Sequence, residues 1–327
     1  MRVLLVGAGA VGARAGRQLV EADEVTSVLV AGAGDAARAA VVEGCGPKVH
    51  DAGTDPLAVD ADAVVLTGPA GTHVDVARAH LERGRAVASC SDDVADVQGL
   101  LALDDLARDR GATLVVGAGF SPGYTCLLAR HAAGRRDSVD EIHVARSGTG
   151  GPACARQHHQ ALAGTAIDWR DGGWQERRAG SGRELCFFPD PIGAADCYRA
   201  ELPDPFVLVP AFEGVTRVTA RLAASRRDRL TARLPMLRRP HPEGLVGAVR
   251  VEVRGRIDGA HHVLVLGALD RPAVATGAVV ALAARRAAAG AFPPGAAGLA
   301  ALADPVPMLT ALADIGIKGA IFDGTGA

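Results

Sequence analysis

Val3-Leu4-Leu5-Val6-Gly7-Ala8-Gly9-Ala10-Val11-Gly12 opens the chain with an apolar run, three glycines and then a helical pattern that continues to Glu21. The run reads as a strand covered on both faces, because continuous aliphatic residues suit a buried parallel sheet. Each glycine has its own mechanical task at such a turn. Gly7 permits the tight bend, Gly9 lets the backbone approach a pyrophosphate, and Gly12 lets the helix lie close to the strand. The helix start at Ala10 and Val11 offers unpaired N–H groups and the positive end of a dipole to phosphate oxygens. The glycine spacing alone is a weak signal. A strand before it and a helix after it turn the reading from a plain glycine turn into a dinucleotide-binding loop.

Outward from this loop the same alternation repeats. Apolar runs at Val25–Ala31, Ala63–Leu66, Ala86–Cys90 and Thr113–Val116, with a weaker one at Lys48–His50, are separated by helical patterns at Asp35–Glu43, Thr72–Arg83 and Asp93–Arg110. Strands alternating with helices of this length predict a parallel sheet with helices on both faces, the doubly wound Rossmann arrangement. Past residue 135 the texture changes. Strand-like runs at Ile142–Ala145, Phe206–Val209 and Val249–Val253 are joined by hairpin signals, the clearest being Arg256-Ile257-Asp258-Gly259-Ala260. The fold class is therefore α/β, with a Rossmann domain over 1–122 and an α+β substrate and dimerisation domain over 123–327. A helix is expected at Ala273–Ala289, and the segment 299–322 is expected to pack back on the first domain.

The bulk composition narrows the function. A formal net charge of −2 and 3% aromatic residues supply neither a basic field nor stacking platforms, so no nucleic-acid partner is expected. No run of 18 apolar residues occurs, so no membrane span is expected. Met1-Arg2 leads straight into the first strand, which is not the pattern of a secretory leader. The six cysteines are widely spaced, with no C-x-x-C pair, and read as reduced thiols of a cytoplasmic protein.

The cofactor reading can be refined. An acidic residue about 20 positions beyond the last glycine would hold the ribose 2′-hydroxyl. Gly32 stands there, so a 2′-phosphate would not be repelled, and Arg38 or Arg14 could meet it. NADP is the expected cofactor, with NAD the choice if Asp35 swings in from the loop. The carboxyl ends of the later strands, Thr67-Gly68-Pro69, Ser89 and Gly119-Phe120, are small enough to admit ribose and nicotinamide. His73 either bonds locally at its helix start or lies beside the nicotinamide ribose.

The stretch Gly117-Ala118-Gly119-Phe120-Ser121-Pro122-Gly123, together with Thr67-Gly68-Pro69 and Ser91-Asp92-Asp93, resembles the saccharopine dehydrogenase-like proteins over about the first 130 residues. That resemblance implies NAD(P)-dependent oxidoreduction at a carbon–nitrogen bond of an amino-acid-like substrate, and a mixed α/β second domain that forms a homodimer. The first domain also resembles the glucose–fructose oxidoreductase group. That group carries a catalytic lysine in a Glu-Lys-Pro motif after the fifth strand. Here Cys90-Ser91-Asp92 stands in its place, and the only lysines are Lys48 and Lys318.

Candidates for substrate chemistry lie in the second domain. Ser121 and Pro122 suit a helix start, which makes Tyr124, at the head of that helix, a substrate-binding candidate. Arg146, Ser147 and Thr149, in a glycine-rich loop ahead of a helix, could cradle a carboxylate; a connecting turn is the equal alternative. On that helix His158 centres an apolar arc and His159 sits at its edge. Either could relay a proton, although a core histidine is the commoner outcome. Cys154 and His158 form an i, i+4 pair, but without a second ligand pair no metal is expected. These residues together predict an NADP(H)-dependent oxidoreductase acting on a small polar substrate, an imine or amino acid. The alternatives are a dinucleotide-binding sensor or scaffold without catalysis, or a dehydrogenase of hydroxyl groups lacking the usual lysine.

Overall fold

The computed structural model describes residues 1–134, 136–236 and 239–322. The strand β1 (Arg2–Val6) turns into α1 (Ala10–Val20). The alternation continues through β2 (Ser27–Ala31), α2 (Asp35–Cys45), β3 (Val49–Asp51), β4 (Ala63–Leu66), α3 (His73–Leu81), β5 (Ala86–Ser89), α4 (Val94–Leu101), α5 (Asp104–Asp109) and β6 (Thr113–Val115). All neighbours are parallel, in the order β3-β2-β1-β4-β5-β6, and a late strand at Gly295–Ala297 joins beside β6. Val3–Val6 and Ala63–Leu66 are buried throughout, as their unbroken apolar sequence requires for central strands covered on both faces. The strand order reverses between β1 and β4, and that is where doubly wound sheets open a crevice for ligand.

The chain then builds a second sheet. Its elements are α6 (Tyr124–Ala133), β7 (Ser138–Ser147), α7 (Pro152–Ala161), β8 (Thr165–Arg170), β9 (Gly173–Arg178), β10 (Glu184–Phe187), β11 (Ala194–Arg199), α8 (Asp204–Leu208), β12 (Arg217–Ala223), α9 (Arg226–Thr231), β13 (Gly247–Ile257) and β14 (Ala260–Asp270). After them come α10 (Pro272–Ala288), β15 (Gly295–Ala297), α11 (Leu299–Leu302), α12 (Pro305–Asp314) and β16 (Lys318–Phe322). The sheet runs β10-β11-β12-β7-β13-β14-β16, with β8 on β12 and β9 on β8. Among the described residues of this sheet, only β12 and β7 pair in parallel. The hairpin expected at Asp258-Gly259 joins β13 to β14, both turn residues having positive φ and Ile257 facing Ala260.

Two expectations are corrected. The run Phe206–Val209 is not a strand: it falls in α8 and its following turn, where Pro205 suits a first helical turn that needs no N–H from it. The segment that returns to the first unit is Ala273–Leu302, whereas the chain from Ala303 on stays with the second. The return has local causes. A Cβ on Gly277 would stand 2.7 Å from Arg14 Cβ, so only glycine lets α10 lie against α1 there. Arg285 pairs with Glu24, and Ala296 N–H donates to Asp104 Oδ1 at 2.7 Å. The first compact unit is thus Met1–Gly123 with Ala273–Leu302, and the second begins at Tyr124. Among the described residues no helix is long and apolar enough to cross a membrane.

Candidate functional site

The glycine loop divides its three glycines by physical demand. Gly7 has φ +108, and a Cβ there would lie 2.7 Å from Gly68 N. At Gly12 a Cβ would lie 2.2 Å from Gly7 O, inside any contact distance. Both glycines are required by the fold. Gly9 is different: its φ of −83 suits any residue, it is exposed, and apart from its chain neighbours no described heavy atom comes within 4 Å of a Cβ built on it. Gly9 is also the N-cap of α1, and among the described residues no side chain caps that helix. The Ala10, Val11 and Gly12 turn therefore presents a dipole end with open space in front of it.

The rim beyond this loop is held by a polar network. Thr67 Oγ1 lies 3.1 Å from the carbonyl oxygens of both Val6 and Gly7, so its hydroxyl ties the end of β4 to the glycine turn. His73, only 2% exposed, has Nε2 at 3.0 Å from Gly68 O and Nδ1 at 2.8 Å from Ser89 Oγ. A carbonyl only accepts, so Nε2 carries the proton and Nδ1 accepts from the Ser89 hydroxyl. Ser91 N–H donates to Ser89 Oγ, Ser91 Oγ donates to Asp96 Oδ2 at 2.8 Å, and Gly71 N–H donates to the same carboxylate oxygen at 3.0 Å. His73 thus positions Gly68 and Ser89 rather than offering a ring nitrogen to a cofactor. Gly119 and Phe120 are likewise committed inward: Gly119 N–H donates to Pro122 O and Phe120 N–H to Thr276 Oγ1. Pro69 is exposed on the rim.

At the end of β2, Gly32 has φ +67 and faces Val6 and Gly7 N. Arg38 is not the free cation expected for a 2′-phosphate. Its Nε donates to Asp51 Oδ1 at 2.7 Å, one Nη to Ala33 O at 2.7 Å and the other to Asp35 Oδ1 at 2.6 Å. The hydrogen bonds from Arg38 and from Gly53 N–H hold the Asp51 carboxyl below its usual range.

In the second unit, Arg146 is buried on the β7 face shared with Ile142 and Val144. The loop after it is pinned by backbone packing: a Cβ on Gly148 would lie 2.6 Å from Gly247 Cα, and one on Gly244 only 1.8 Å from Thr149 O. Ser147 and Thr149 therefore sit on a fixed turn rather than a loose connection. The two histidines of α7 part ways, as side chains 100° apart must. His158 is buried with its Nε2 3.4 Å from Cys154 Sγ. His159 Nε2 donates to the carbonyls of Thr231 and Leu234, at 2.9 and 3.1 Å, and so fastens that segment to the helix. Tyr124 is 3% exposed beside Gly319 of β16, and burial pushes its phenol up to about 12.

Residues 1–118 match the family model described as an oxidoreductase family with an NAD-binding Rossmann fold. The first unit is an NAD(P)-binding Rossmann domain. Among solved structures, a saccharopine dehydrogenase (L-Glu forming) from Saccharomyces cerevisiae is 16% identical, covers 98% of this chain and 100% of its own, and has a TM-score of 0.71. A DAP dehydrogenase of C. glutamicum in complex with DAP is 15% identical over 94% of this chain and 95% of its own, with a TM-score of 0.50. A myo-inositol dehydrogenase from Corynebacterium glutamicum is 13% identical over 99% of both chains, again at 0.50. At such identities the likeness is one of fold, a Rossmann domain followed by a mostly antiparallel sheet. No curated protein matches the chain in sequence.

Two residues that shape the site escaped the sequence reading. Asp96 lies well beyond the strand-end motif it supports, and only the fold brings it under Gly71. Asp51 closes on Arg38 from a neighbouring strand. Cys154 had a signal, its i, i+4 spacing to His158, but the spacing could not tell a thiol–imidazole contact from a metal pair.

Proposed function

We propose that this chain is an NAD(P)-dependent oxidoreductase that works at the carbon–nitrogen bond of a small carboxylate-bearing substrate, an imine or amino acid. The observation that carries the cofactor half is Gly9, a glycine that neither its own φ nor its neighbours demand. A ligand backbone approaching from outside is the remaining reason for the absence of a side chain. When bound, the dinucleotide supplies or accepts the hydride. The chain's own share is to bind, orient and move the proton. Arg146 and the pinned Ser147–Thr149 turn hold the substrate carboxylate, and a guanidinium suits that group as a fixed fork of donors. His158, in contact with Cys154, passes the proton. The names of two structural neighbours, saccharopine and DAP dehydrogenases, point to the same substrate class.

For the nucleotide, the case for NADP rests on Gly32 and on Arg38 or Arg14 as the cation. Gly32 stands as expected, but Arg38 is occupied, and the Asp35 and Asp51 carboxylates around it would repel a 2′-phosphate and accept from a ribose hydroxyl. We therefore place NAD ahead of NADP.

The test is the absorbance of reduced cofactor during incubation with a panel of keto acids plus ammonia or amines. Turnover is expected with a member of that panel. Arg146→Ala should raise KM about tenfold to a hundredfold while leaving cofactor affinity intact, and His158→Asn should lower kcat more than it raises KM. Cofactor binding without turnover on any amine–acid pair, alongside oxidation of a polyol, would overturn the substrate class.

A further inference from the structure

We infer that the second unit carries an anion site for a phosphorylated small molecule, formed by α7, the 178–181 turn, residues 229–236 and Arg239. Two adjoining cavities lie there. One, of about 740 Å³, is lined by Arg156, His159, Gln160, Arg233, Met236 and Arg239 among others. The other, of about 380 Å³, is lined by Arg178, Gly180, Ser181, Arg229 and again Arg233. Both volumes fall in the range of small-molecule sites.

The walls of these cavities concentrate arginines without carboxylate partners. Several arginines elsewhere in the unit are matched: Arg199 with Asp168 at 3.0 Å, Arg221 with Glu184 at 2.6 Å, Arg250 with Glu252 at 2.6 Å. Among the described residues, none of Arg156, Arg178, Arg229, Arg233 and Arg239 has a carboxylate within 4.0 Å. The acid just before the segment, Asp228, is used by Ser225, whose N–H and hydroxyl both donate to it. The basic run Arg226-Arg227-Asp228-Arg229 is therefore not balanced locally, and Arg238 lies outside the described residues.

Two contacts order part of this wall. His159 fastens Thr231 and Leu234 to α7 through its two carbonyl contacts, which keeps Arg233 beside Arg156. The Arg229 guanidinium lies over the Tyr198 ring at 4.4 Å, which fixes its plane and leaves its N–H edges for a ligand. Guanidinium groups gathered around a hollow repel one another, and a multiply charged anion relieves that repulsion while filling several forks at once. Phosphate oxygens fit this donor set. Among the described residues no Phe, Tyr or Trp lines either cavity, and the one ring there, His159, is bound to the Thr231 and Leu234 carbonyls, so a broad platform for stacked nucleic-acid bases is lacking.

The probe is inorganic tripolyphosphate, titrated calorimetrically into the intact protein at low and at moderate salt. Saturable binding at one equivalent is expected, weakening with salt. Arg233→Ala, which removes the cation common to both cavities, should weaken it at least about tenfold, and Arg156→Ala by several-fold. Arg256→Ala, on β13, should leave it unchanged. NADH affinity should be untouched by Arg233→Ala, and tripolyphosphate affinity untouched by Gly9→Val, so this site and the dinucleotide site stand or fall separately. Absence of saturation, binding indifferent to both arginine substitutions, or a single-stranded oligonucleotide outcompeting tripolyphosphate would overturn the inference.

Discussion

Substituting Gly9 and Gly12 separately tests whether the loop is built for a ligand or only for the fold. In Gly9→Val the new side chain enters open space at a φ that any residue adopts. Its effect on stability should stay within about 0.5 kcal/mol, as for an uncrowded surface change. The same side chain occupies the approach of a pyrophosphate. Displacing charge-assisted N–H contacts there should cost about 2–3 kcal/mol, or roughly 30- to 150-fold in Kd. Gly12→Ala reverses the pattern. Its Cβ would stand 2.2 Å from Gly7 O and 3.0 Å from Thr67 Oγ1, so α1 must shift, at about 1–3 kcal/mol of stability. Thermal unfolding followed by circular dichroism gives one axis, and NADH fluorescence titration gives the other. The reasoning fails if Gly9→Val binds NADH as tightly as the parent, or if it loses as much stability as Gly12→Ala.

Three further outcomes follow from the polar contacts of the first unit. Asp96→Ala leaves the Ser91 hydroxyl and Gly71 N–H without their acceptor, so urea unfolding should show a loss of about 1–3 kcal/mol together with weaker cofactor binding. His73→Phe, which removes the tie between Gly68 and Ser89, should weaken cofactor binding without altering the pH dependence of turnover. Such an alteration would mean that the imidazole itself takes part. Asp35→Asn combined with Asp51→Asn should free Arg38 and shift fluorescence-measured preference from NADH toward NADPH. An unchanged or strengthened NADH preference would show that those carboxylates do not set it.

The first unit was legible because its signals are local. A strand, a glycine turn and a helix lie within twenty residues, and each glycine's role follows from backbone geometry. What failed there depended on partners from other elements. Arg38 read as a free cation because Asp51, its strongest partner, arrives on another strand. In the second unit the helical phase of α7 correctly buried His158, but not the destination of His159, which is set by carbonyls more than seventy residues away. The Phe206–Val209 run looked like a strand because short apolar runs carry no period of their own, and Pro205 was the overlooked helix-start signal. The return of Ala273–Leu302 depended on Gly277 against Arg14, a close approach that appears only once both helices exist.

The central claim is that the first unit holds a nicotinamide dinucleotide on the Gly7–Gly12 turn. Calorimetric titration of the intact protein with NADH, with NADPH in parallel, tests it most directly. Saturable binding of one NADH per chain is predicted, tighter than NADPH and lost in Gly9→Val while that variant remains folded. No saturable heat from either nucleotide, with the protein shown to be folded, would contradict it.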